Sequence, residues 1–69
     1  MNESEKLRIL IPHWIEHNGE HAEEFSEHAA LAGAVKDKLL AASRLLTEAN
    51  AELAAALDLL GGPQVRPEK

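Results

Sequence analysis

The chain has no cysteine and no tyrosine, and only one tryptophan, one phenylalanine and one methionine in 69 residues. Without thiols there is no disulfide framework, no thiolate zinc knuckle and no cysteine nucleophile. Any metal site must draw on His, carboxylate or amide ligands. Cations are also scarce. Seven Lys and Arg stand against twelve Asp and Glu, for a formal net charge of −5. Nucleic acid is not an expected partner, because phosphate contacts need a basic surface. No apolar run is long enough to span a bilayer. The acidic opening Met1-Asn2-Glu3-Ser4-Glu5 lacks the apolar stretch of a signal peptide. A cytoplasmic protein that does not enter membranes is the expectation. Strand formers are few, with two Val and three Ile.

What is abundant is Ala and Leu, twelve and eleven of the hydrophobic 45%. That is a helix-former's composition, and it predicts an all-α fold. At about 100–150 residues per typical domain, the chain has room for one. A chain this short buries only about 60% of its unfolded surface. It therefore needs close helix packing, a metal or a partner subunit.

The pattern divides residues 2–60 into two helices. The first is predicted over about 2–32, with Asn2 and Glu5 spaced as a capping box. Pro12 removes one backbone hydrogen bond, so a kink or a break is expected there. The continuing apolar register favours a kink. Gly19 is a second weak point, and Gly33 is the expected turn. The second helix is predicted over about 34–60. Leu39, Leu46, Leu53 and Leu60 fall one heptad apart, with Val35, Ala42, Ala49 and Ala56 at the alternate positions. Residues 61–69, rich in Gly and Pro, read as a helix stop and a flexible tail. The expected architecture is an antiparallel helical hairpin, pairing into a dimeric four-helix bundle or a higher homo-oligomer.

The chemistry is concentrated in HWIEHNGEHAEEFSEH, residues 13–28, with four His, five Glu and no Lys or Arg. His13, His17 and His21 are spaced four apart, as are Glu24 and His28. At about 100° per residue all five fall within one narrow stripe. Extending the heptad of the first helix gives a seam of Leu7, Leu10, Trp14, His17, His21, Glu24, His28 and Leu31. Its middle is polar and its ends are apolar. A polar layer facing a bundle interior costs several kcal/mol unless satisfied, and a metal satisfies it. His17, His21, Glu24 and His28 are the candidate metal ligands, with His13 as an alternative. Asn18 could orient a ligand by a hydrogen bond. Trp14 and Phe25 would flank the site as core residues. No Glu-x-x-His occurs, so a ferritin-like di-iron site is not supported. Nitrogen and oxygen donors suit a divalent nickel, zinc, copper or iron ion. Imidazole ligates only when neutral, so affinity is expected to fall below about pH 6. The plainer alternative is a solvated helix face with Glu partners three or four residues from each His.

The pattern H-W-x-E-H-N-x-x-H-A-x-x-F resembles a short His-rich helical-hairpin module of small prokaryotic proteins. That module is sometimes attached to a nickel-accessory domain of the carbon monoxide dehydrogenase maturation type (CooT-like). The resemblance singles out His13, Trp14, Glu16, His17, Asn18, His21 and Phe25. It implies metal binding and a metalloenzyme maturation partner. Pro12 departs from the pattern, standing where an ordinary helix former is expected, and the nickel-accessory domain does not occur in these residues.

Two functions compete at this level. One is a metal-binding hairpin that stores or hands over an ion. The other is an oligomerisation or protein-interaction module whose His stripe is structural or tunes pairing with pH. An enzyme is the weakest expectation, since no phosphate-binding Gly loop or nucleophile elbow occurs.

Overall fold

A computed structural model describes residues 2–64. Two α-helices, α1 (Glu3–Ala29) and α2 (Lys36–Leu59), pack against each other, and a short 3₁₀ turn at Gly33–Val35 joins them. No strand occurs among the described residues. The expected helical hairpin is therefore present, with helix ends one to three residues inside the expected ones.

The ends form for local reasons. Asn2 Oδ1 accepts the Glu5 N–H at 2.8 Å, and Glu5 Oε1 accepts the Asn2 N–H at 3.1 Å. This capping box satisfies donors that the first turn leaves open. Gly33 takes φ +62, a left-handed conformation that turns the chain between helices. α2 ends in a Schellman motif, in which the Gly62 N–H reaches the Leu57 carbonyl and the Gly61 N–H reaches that of Asp58.

α1 runs through Pro12 without a break. Proline cannot donate to the carbonyl four residues back, which belongs to Arg8. That carbonyl instead accepts the Gln64 N–H at 3.1 Å. The Arg8 side chain adds Nε to the Gly62 carbonyl at 2.7 Å and Nη2 to that of Pro63 at 3.4 Å. Residues 62–64, expected to begin a flexible tail, are thus tied to α1. Residues 65–69 of that expected tail lie outside the described residues.

The seam between the helices corrects the expected one. On α1 the residues turned toward α2 are Ile11, Ile15, Asn18, Ala22, Phe25 and Ala29, one position along from the expected stripe. Only Ile11, Ala22 and Ala29 are buried among the described residues, at 3%, 7% and 0% exposure. On α2 the Leu39, Leu46, Leu53 and Leu60 series is half-buried as expected. Of its expected alternate positions Ala42 and Ala56 are half-buried, and Ser43, Asn50 and Leu57 are half-buried beside them. Val35 and Ala49 are exposed. Two of the three buried residues, Ala22 and Ala29, are small, and small side chains in a seam let helices pack closely.

Polar groups pin the register. Asn18 Nδ2 donates to Asn50 Oδ1 at 3.1 Å, and Asn50 Nδ2 donates to the Ile15 carbonyl at 3.0 Å. The Ser43 hydroxyl donates to the Ala22 carbonyl at 2.7 Å. A one-turn slip would break all three, and a partly buried polar group left unpaired is costly.

Candidate metal-binding stripe

The register of α1 decides where the histidines go. Since Asn18, Ala22 and Phe25 face α2, the stripe one residue earlier is turned away from it. His13, His17, His21, Glu24 and His28 are all exposed. The expectation of an inward stripe is corrected: it lies along the edge of the hairpin, facing solvent. Trp14, expected in the core, is 40% exposed, while Phe25 is half-buried. Asn18 is not beside a metal site but in the helix–helix seam. Asn50 and Ser43, its companions there, were not singled out by the spacing. Their signal was a pair of polar residues seven apart, each one residue after an Ala of the assumed seam, Ala42 and Ala49.

Within the stripe the side chains pair. The His13 and His17 rings meet edge to face with centroids 4.5 Å apart. His17 Nδ1 lies 3.8 Å from Glu20 Oε1, and His21 Nδ1 lies 3.4 Å from Glu24 Oε1. The His21 ring stacks on Phe25 at 6.2 Å. Of the two His–Glu contacts only the His21–Glu24 one is within hydrogen-bond reach, and a carboxylate on one ring nitrogen is the arrangement found behind metal-bound imidazoles. Glu24 thus pairs with His21 within one helical turn on the exposed stripe. His28 sits in the last turn of α1.

Among the described residues, no group of three or more His, Asp or Glu side chains is assembled to hold an ion. One hairpin brings together His13 with His17, and His21 with Glu24, and leaves His28 apart. Beside His21 an open groove of about 630 Å³ runs between the helices, lined by Glu24, Phe25, Ala42, Leu45 and Leu46. No helix among the described residues is long and apolar enough to cross a membrane.

Fold and stripe together define a His-rich helical hairpin with an exposed His and Glu edge. Residues 7–60 match a family described as a domain of unknown function (DUF8180), and the chain belongs to that family. No curated protein and no solved structure matches it.

Proposed function

We propose that the hairpin binds a divalent transition metal through the α1 stripe, in a storage, hand-over or accessory role. The observation that carries this is the His13–His17–His21 ladder at four-residue spacing. Its rings are exposed, and Glu20 and Glu24 lie against the Nδ1 atoms of His17 and His21. Two imidazoles one helical turn apart can clamp one ion from one helix face. No Lys or Arg stands between residues 13 and 28 to repel it. Nickel and zinc suit such donors best, with copper and iron also compatible.

A single hairpin offers two donors at a time, so the remaining coordination positions fall to water, a second copy or a receiving protein. An incomplete, exposed site exchanges its ion readily. That suits hand-over better than permanent structural use. The resemblance to modules attached to nickel-accessory domains supports the same reading and suggests a metalloenzyme maturation partner.

The test is calorimetric titration of the full chain with nickel, zinc and copper salts, alongside a His17→Ala/His21→Ala variant. Submicromolar to micromolar binding that the variant loses supports the reading. Binding no tighter than millimolar, or binding the variant retains, rejects it. In that case the competing reading, a non-catalytic interaction module, stands on the exposed Trp14, Leu40 and Leu45 side chains.

A further inference from the structure

The Asn18–Gly19 step is chemically singular in this chain. Asn2, Asn18 and Asn50 are followed by Glu3, Gly19 and Ala51. An asparagine amide is open to attack by the backbone nitrogen of the residue after it. A glycine there has no Cβ to block the approach and leaves the backbone free to take up the required conformation. The folded hairpin withholds both reactants. Residue 19 lies inside α1, where its N–H is turned to the carbonyl four residues back, that of Ile15. The half-buried Asn18 side chain is drawn toward α2, with Nδ2 donating to Asn50 Oδ1 at 3.1 Å. Asn50 Nδ2 in turn donates to the same Ile15 carbonyl at 3.0 Å. The direction of this relay is fixed at its end, because a carbonyl only accepts. Asn50 must present Nδ2 to Ile15, and therefore Oδ1 to residue 18.

We propose that Asn18 is a modification site, deamidated when the hairpin opens and spared while it is closed. In the open chain the Gly19 nitrogen bonds to Asn18 Cγ, its proton passing through solvent to the departing nitrogen. The Cγ–Nδ2 bond breaks, ammonia leaves and a succinimide ring closes. Water then opens the ring at either carbonyl, giving aspartate or isoaspartate. The step needs water alone. A fold whose buried residues, among those described, are Ile11, Ala22 and Ala29 has few apolar contacts to resist opening. Neither product fits the closed hairpin. An ionised aspartate at position 18 only accepts, and it faces Asn50 Oδ1. Turning the Asn50 amide over to meet it sets Oδ1 against the Ile15 carbonyl. One pair of acceptors stays unmatched in either orientation, in a partly buried seam where that is costly. Isoaspartate adds a methylene to the backbone of α1 and breaks its hydrogen-bond period. The site therefore records, irreversibly, the time the hairpin spends open.

The test holds the full chain at mildly alkaline pH, in buffer and in guanidinium chloride, and follows Asn2, Asn18 and Asn50 by peptide mass spectrometry. In denaturant Asn18 should convert ahead of Asn2 and Asn50, and Gly19→Ala should suppress that conversion. In buffer the Asn18 rate should fall roughly 10-fold or more. Asn18→Asp, the product made directly, should melt below the wild-type chain. Equal Asn18 rates in buffer and in denaturant overturn the gating by the fold. An Asn18 that converts no faster than Asn50 in denaturant overturns the site itself. An Asn18→Asp chain that melts with the wild type overturns the misfit of the product.

Discussion

The Arg8 carbonyl and the Gln64 N–H are joined by a 3.1 Å hydrogen bond across 56 residues of chain. The bond exists because residue 12 is proline. Any other residue there would donate its own N–H to Arg8. Pro12 removes that donor, and its ring crowds the same carbonyl. The helix defect thus becomes the point where the end of the described chain is fastened. The Arg8 guanidinium, reaching the Gly62 and Pro63 carbonyls, closes the clasp.

Pro12→Ala should separate the two effects. Alanine restores the helical donor to Arg8, a propensity gain of about 3 kcal/mol over proline in a helix interior. The lost bond to Gln64 is worth about 1 kcal/mol. The variant should therefore melt higher, while its Gln64 amide exchanges faster. Amide hydrogen exchange by NMR reads this directly. An equally protected Gln64 amide in Pro12→Ala would contradict the clasp.

The Asn18–Asn50 pair should behave as one unit. Asn50→Ala leaves Asn18 without its seam partner, and a loss of about 1–3 kcal/mol is expected. Asn18→Leu combined with Asn50→Leu removes both unpaired groups and should recover much of that loss. Urea melts of Asn18→Leu, Asn50→Leu and the double give the coupling. Strictly additive losses would mean that the 3.1 Å contact does not hold the register.

Gly19 is a helix-interior glycine with room beside it. A Cβ there would stand 4.0 Å from Asn50 Nδ2, an ordinary contact. Gly19→Ala should stabilise the hairpin by about 0.5–1 kcal/mol through helix propensity alone. Destabilisation on thermal melting would show that the helices need a closer approach at this point.

Glu24→Gln tests how the stripe binds. If Glu24 orients His21 through Nδ1, its loss should weaken metal affinity about 10- to 100-fold without abolishing it. His21→Ala should remove binding at that pair. At a free metal concentration one hundred times Kd, the wild-type chain should gain about 2.7 kcal/mol of stability, and chelator should remove it. A Glu24→Gln chain with unchanged affinity would return Glu24 to the solvated helix face.

Much of the fold is local and is legible in the order of residues. The Asn2–Glu5 capping box, the Gly33 turn, the Gly61-Gly62 stop and the Leu39–Leu46–Leu53–Leu60 heptad follow from backbone preferences and period alone. These determine two helices and a hairpin. They do not determine which stripe of α1 is covered. Leu7, Leu10 and Trp14 mark one stripe, and Ile11, Ile15 and Phe25 mark its neighbour one residue, or about 100°, away. Composition rates both as apolar. Tertiary packing decides between them, because two helices approach most closely where side chains are small and where polar groups find partners. Ala22 and Ala29 supply the first condition, and Asn18 with Asn50 supplies the second. That choice moves His17, His21 and Glu24 from the interior to the exposed edge. It turns the expected buried His and Glu layer into an exposed ladder of side chains.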